Sequence, residues 1–210
     1  MTAPSMPDVA REVFGDAAGK AEHYANLLAG VGVERGVIGP NEVPRIWERH
    51  LLNSAVVAEL VPAATCSLVD LGSGAGLPGV VLALMLPDCE VILLEPALRR
   101  ATFLEECVAE LALGNARVMR ARAEQVAGEL AVDVVTARAV APLDRLAALA
   151  VGLLKPGGIV LAMKGVKAPA EVRDAKAALR RLGLADAEVL VAGSGKVDPA
   201  ATVVRLTARR

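Results

Sequence analysis

The chain is poor in aromatics. Phe14, Tyr24, Trp47 and Phe103 are the only four among 210 residues. A core built from this sequence must be filled by Ala, Val and Leu, and hydrophobic residues make up 54% of it. Cysteine is sparse too. Cys66, Cys89 and Cys107 are odd in number, far apart and form no CxxC pair. That argues against a disulfide framework and a zinc site, and leaves them as small core residues. No apolar run is long enough to span a bilayer. The start, MTAPSMPDVAREVFGDAAGK, lacks the basic-then-apolar order of a secretion signal. The expectation is a soluble, cytoplasmic, monomeric protein with no membrane partner.

Net charge is also nearly absent, at −1. That value hides an asymmetry. Residues 131–210 carry 13 Lys and Arg against 7 Asp and Glu, whereas acidic residues lead in the preceding segments. A polyanion would meet the C-terminal third most favourably. Arg173, Lys176 and Arg180 are spaced to share one helix face that could bind phosphates. A solvated, solubilising face explains the same charges.

A chain of this length suits one α/β domain with some added secondary structure. Residues 5–60 show apolar positions at helical spacing, broken by VIGPNEVP and ended by Pro62. From residue 67 strands and helices alternate. SLVDLG, EVILLE, ARVMR, VDVVTARA, IVLAMKG, AEVLVAG and ATVVRLTA read as seven strands. GVVLALML, LRRATFLEECVAELAL, AEQVAGEL, LDRLAALAVGLL and AEVRDAKAALRRL read as the helices between them, with Pro156-Gly157-Gly158 as a turn. Short connections and apolar strands predict an α/β fold: a mostly parallel seven-stranded sheet with helices on both faces. GSGKVDPA is too short for a helical crossover, so the last strand should be antiparallel. The domain reading is 1–62 as an N-terminal helical extension and 63–210 as the α/β unit.

The stretch LVDLGSGAGLPG, residues 68–79, fits two templates. Gly74-x-Gly76-x-x-Gly79, with Glu95 some twenty residues on, matches a dinucleotide fingerprint. Asp70 followed by Gly72-x-Gly74-x-Gly76 matches an S-adenosylmethionine loop. In both, glycines let the backbone approach a ligand, and Glu95 can accept from ribose hydroxyls. A carboxylate at the mouth of the loop would repel a pyrophosphate and suit an ammonium group. Pro78 removes an N–H where a pyrophosphate would want one. Both features favour S-adenosylmethionine and a Rossmann-like class I methyltransferase fold. Ala123-Glu124-Gln125 follows the third strand, where a backbone group or Glu124 could meet the adenine; on its own it reads equally as a helix start.

The acceptor is narrowed by missing motifs. The loop after the fourth strand, VVTARAVAPLD, holds no cysteine nucleophile and no Asn/Asp-Pro-Pro-aromatic turn. What stands there is Arg138, at the carboxyl end of a buried strand, as a salt-bridge partner of Asp70, Glu95 or Glu124, as a functional group, or as both. An acceptor that needs no general base fits this inventory. Guanine N7 is one, because its lone pair is already free and catalysis can rest on alignment and electrostatics. His50 and Lys164 are further candidates beside such a site.

VDLGSGAGLPG (69–79), IWERHLLNS (46–54), RAEQVA (122–127), TARAVAPL (136–143) and LKPGGIVLAMKG (154–165) together resemble the RsmG, or GidB, family. The match runs in order over nearly the whole chain. The resemblance implies methylation of N7 of guanine 527 in the 530 loop of 16S rRNA, with S-adenosylmethionine as cofactor. Its implied partner is that RNA or the small ribosomal subunit, an assembly intermediate included. It implies that Gly72, Leu77, Ala123, Glu124 and Arg138 line the cofactor site, beside Asp70, Gly74 and Glu95 from the loop reading. It also implies that Arg138 faces the guanine, that His50 lies over the same cleft and that Lys164 contacts RNA. Asn53 stands where the family usually has Asp, and Glu95-Pro96 where it commonly has Asp-Ser. A small-molecule or protein methyltransferase with the same cofactor loop is the competing enzyme. A catalytically silent RNA- or ribosome-binding module is the competing non-enzyme.

Overall fold

The computed structural model describes residues 1–209, so Arg210, the last residue of the 63–210 unit, lies outside it. Seven strands make one sheet: β1 (Ser67–Leu71), β2 (Glu90–Leu94), β3 (Ala116–Met119), β4 (Val132–Arg138), β5 (Leu154–Lys164), β6 (Leu184–Ala192) and β7 (Ala201–Ala208). Their order is β3-β2-β1-β4-β5-β7-β6. β1 to β5 pair in parallel, and β7 runs antiparallel between β5 and β6. The order reverses between β1 and β4. Their following loops depart in opposite directions and leave a crevice at the carboxyl ends, where open α/β sheets bind ligands.

The helices are α1 (Asp8–Phe14), α2 (Ala18–Leu27), α3 (Asn53–Ala55), α4 (Gly79–Met85), α5 (Leu98–Glu110), α6 (Ala123–Val126), α7 (Leu143–Val151) and α8 (Ala168–Arg181). Strand alternation sorts the core into two layers. Leu68, Val134, Leu161 and Val203 point to one face and pack with α1, α2, the 46–60 segment, α4 and α5. Val69, Val135, Val160 and Val204 point to the other and pack with α6, α7 and α8. Leu28, Ile46, Leu51 and Val57 of the N-terminal helices have no exposed surface. Each contributes roughly 1.5–3 kcal/mol by burial. The helices before β1 therefore share the sheet's core.

Three expectations need correction. Residues 46–60 are not one regular α-helix. A wide π-type segment, Ile46–Leu52, passes through the short α3 into a 3-10 segment, Val56–Leu60. The wide segment buries Ile46, Trp47, His50, Leu51 and Leu52, a broader face than an α-helical stripe. AEQVAGEL forms only the single turn α6. Gly128, at φ +81°, ends it, and Ala127 bridges to Leu130. Pro156-Gly157-Gly158 is a bulge inside β5 rather than a turn before it. Val132 pairs with Leu154 and Val134 with Ile159, so Asp133 alone faces four residues. Gly157 at φ +79° permits the excursion. Lys155 Nζ anchors it to Asp133 Oδ1 at 2.9 Å.

Candidate active site

In the loop after β1, Gly76 and Gly79 stand where a side chain would collide with its neighbours. Gly76 has φ +91°. A Cβ there would lie 2.6 Å from Val80 and 2.7 Å from the Tyr24 hydroxyl. That hydroxyl donates to Ala75 O at 2.6 Å and pins the loop to α2. Gly79 opens α4 against Asp70, whose Oδ2 accepts from the Gly79 N–H at 2.9 Å. A Cβ at Gly79 would stand 2.5 Å from that same oxygen.

Asp70 is therefore not at the mouth of the loop. Its side chain has no exposed surface, and Oδ1 has no hydrogen-bond partner among the described residues. Burial pushes its carboxyl up to about 6, against the pull of the Gly79 bond. The reason is strand geometry: successive side chains alternate faces, and this one turns under the loop. Asp70 shapes the site from beneath.

Glu95, at the end of β2, ties two loops together. Oε2 accepts from Gly74 N and Oε1 from Ala97 N, both at 2.9 Å. Its second lone pairs remain for a ligand, and it lines a cleft of about 470 Å³ with Gly72, Gly74, Leu77 and Arg138. A smaller hollow of about 260 Å³ holds Ala123 and Glu124 and joins the first across Gly72, Pro96 and Val140. One groove thus crosses the carboxyl ends of β1, β2, β3 and β4. A Cβ at Gly72 would meet Val140 at 3.0 Å in its wall.

A third cleft, of about 540 Å³, lies beside this groove and shares His50, Arg138 and Ala139 with it. Glu42, Arg49, Asn53, Lys164 and Thr202 are among its other walls. Arg138 stands at the junction. Ala139, directly after it, has φ +56°, a left-handed conformation that costs a non-glycine residue energy and sharply redirects the chain. Arg138 has no carboxylate within 4.0 Å among the described residues. The ion pair with Asp70, Glu95 or Glu124, one of the two readings of Arg138, is not formed. Its Nη2 instead faces His50 Nδ1 at 3.1 Å, and Nη1 reaches Arg49 O at 3.4 Å. Burial lowers its pKa, opposed by Tyr24 and Asp70.

His50 is buried over both clefts. Its Nε2 lies 2.7 Å from Glu42 Oε2. Burial, then the Arg138 cation, pulls the imidazole pKa below its ordinary value, while Glu42 pulls it up. The bond from His50 holds the Glu42 carboxyl below its usual range. Glu42 went unnoticed in the sequence because it sits in the break before Ile46, with no local pattern around it.

Lys164 lines the third cleft, but its ammonium is engaged. Nζ donates to Ala141 O and Glu171 Oε2, both at 2.8 Å. It braces the loop after β4. Arg173, Lys176 and Arg180 do share one groove, with Arg209, of about 520 Å³. That groove runs along α8 away from the third cleft. Arg173 lies two residues past Glu171, the partner of Lys164, whereas Arg209 follows the far end of β7, seven residues from Thr202 and roughly 23 Å along extended chain. Trp47 is buried and donates to Pro4 O, so it presents no stacking face.

The fold has solved counterparts. A SAM-dependent O-methyltransferase from Thermotoga maritima matches with a TM-score of 0.58 at 17% identity, over 81% of this chain and 71% of that one. A SAM-dependent methyltransferase from Aquifex aeolicus matches at 0.60 and 17%, over 82% and 97%. The chain has the class I S-adenosylmethionine-dependent methyltransferase fold. Sequence comparison is narrower. The family described as rRNA small subunit methyltransferase G, or GidB, matches residues 17–197. Ribosomal RNA small subunit methyltransferase G of Thermobifida fusca is 57% identical over 208 residues, 99% of this chain and 87% of that one. Its Streptomyces avermitilis counterpart is 55% identical over 204 residues, 97% and 85%. The chain belongs to the rRNA small subunit methyltransferase G family.

Proposed function

We propose that the protein transfers a methyl group from S-adenosylmethionine to N7 of guanine 527 in the 530 loop of 16S rRNA. The groove across β1 to β4 takes the cofactor and the third cleft takes the guanine. The residues present fit the cofactor. Glu95 has lone pairs left for ribose hydroxyls, Ala123 and Glu124 stand where a base would lie, and the glycine loop keeps a Cβ out of the way. Arg138, a half-buried cation with no carboxylate within 4.0 Å among the described residues, suits the cofactor's own carboxylate. When bound, S-adenosylmethionine supplies a methyl group carried on a sulfonium.

The observation that carries the choice of N7 is the state of the possible bases around the two clefts. Both oxygens of Glu95 accept backbone N–H bonds. Glu42 is bonded to His50 and lies near Arg49. A guanidinium can only donate, so His50 Nδ1 accepts from Arg138 and its proton sits on Nε2, facing Glu42. Glu124 lies in the smaller hollow, away from the guanine's cleft. Among the described residues, no side chain lining the third cleft is set to remove a proton. Guanine N7 needs none removed, whereas most hydroxyl and amine acceptors do. The chain's part is then alignment and exclusion of water by the N-terminal helices.

The test is transfer of labelled methyl to purified small-subunit RNA, small-subunit particles and short 530-loop hairpins, followed by chemical cleavage at N7-methylguanine. The expected product is N7-methylguanine at position 527. Label in the exocyclic amine, in another nucleotide or only in a metabolite would overturn the reading.

A further inference from the structure

We propose that Glu42 and His50 are positioning residues that hold the Arg138 guanidinium at the junction of the two clefts. This deepens the preceding proposal and rests on its placement of Arg138 against the cofactor. Arg138 carries five donors and no acceptor, and two acceptors orient it. One, Arg49 O, is long at 3.4 Å; the other, His50 Nδ1, lies at 3.1 Å. The imidazole is useful to Arg138 only with a lone pair on Nδ1. Glu42 Oε2, 2.7 Å from Nε2, keeps the proton on the other nitrogen. Glu42 and His50, eight residues apart, and Arg138, 88 residues beyond His50, thus form one chain of hydrogen bonds. Two of them come from the segment before β1, so that segment completes the site as well as covering the sheet.

The arrangement has a built-in acid limit. A doubly protonated imidazole would turn an N–H toward a guanidinium that offers only N–H groups, with two cations about 3 Å apart. The charged and titratable groups around the pair are Glu42 and Arg49 from the N-terminal segment, Tyr24 and Asp70 beside Arg138, Lys164 across the third cleft, and Glu95 and Arg100 along the cofactor groove. Burial and Arg138 outweigh Glu42, so His50 protonates below its ordinary pKa. Removal of the Glu42 charge should lower that point further.

The experiment is calorimetric titration of the full-length protein with S-adenosylmethionine between about pH 5 and 8, for wild type, E42Q, H50N and R138A. Each variant is first checked for an unchanged circular dichroism spectrum. Wild-type affinity should fall about tenfold or more toward the acid end. E42Q should bind more weakly at neutral pH, with its acid limb moved to lower pH. H50N, whose Oδ1 can stand in for Nδ1, should keep much of the affinity and lose most of the acid limb, the remainder coming from Asp70 beside Arg138. R138A should be weak and flat throughout. A pH-independent wild type, or an acid limb in H50N as large as that of wild type, would overturn the proposal. Binding needs no RNA, so failure to methylate guanine 527 would refute the acceptor assignment while this pH pattern stood.

Discussion

Replacement of Asp70 by asparagine tests whether this carboxylate is a buried anchor of the glycine loop. The side chain is fully enclosed, one oxygen accepts from Gly79 N, and the other has no partner among the described residues. Its folded-state pKa, about 6, lies above the ordinary 3.8. A raised carboxyl pKa means that the folded protein binds the proton more tightly than the unfolded chain. Stability contributed by the protonated form is therefore lost as pH rises through the window from about 4 to 6. At 1.36 kcal/mol per pKa unit the loss approaches about 3 kcal/mol above pH 7 and is about half that at pH 5. Asparagine keeps an acceptor for Gly79 N and removes the charge. Urea unfolding of both proteins at several pH values gives the difference in stability, in which the other titrating groups cancel. D70N should gain on wild type by about 1–2 kcal/mol between pH 5 and pH 7.5. A difference that stays constant with pH would refute the placement of an ionisable Asp70 under the loop.

Gly76→Ala should cost about 3 kcal/mol or more, through its positive φ and the collision with Val80 and the Tyr24 hydroxyl, lowering Tm by about 6–12 °C. Tyr24→Phe removes the bond to Ala75 O and should cost about 1 kcal/mol in urea unfolding, with weaker S-adenosylmethionine binding by calorimetry. Arg138→Lys keeps the charge and loses the fork, so methyl transfer should fall about a hundredfold while Tm is maintained. Lys164→Met frees Ala141 O and Glu171 and should cost about 1 kcal/mol, with faster proteolysis in the loop after β4.

Much of the fold was legible because its signals are local. Apolar runs of four or five residues, punctuated by Gly and Pro, mark β1 and β2. The short GSGKVDPA link is sufficient for the antiparallel β7. Gly72, Gly74, Leu77, Glu95, Ala123, Glu124 and Arg138 do surround one groove, because sheet topology brings consecutive strand ends together. What stayed hidden depends on distant partners or on side-chain direction. Asp70 has the composition of a ligand-facing carboxylate and the orientation of a buried one. Glu42 meets His50 only after a 3-10 segment and a π-type turn set their spacing. Lys164 is held by Ala141 and Glu171, neither of which any periodicity joins to it. The bulge at Lys155–Gly158 needs β4 alongside to be distinguished from a turn.

The most direct test of the central claim is made on the ribosome. Small-subunit RNA is taken from cells with the gene deleted, and from the same cells complemented with wild type or R138A, and is cleaved chemically at N7-methylguanine. Cleavage at position 527 should be absent in the deletion, restored by wild type and largely absent with R138A. Retention of the modification at that position in the deletion strain would contradict the account.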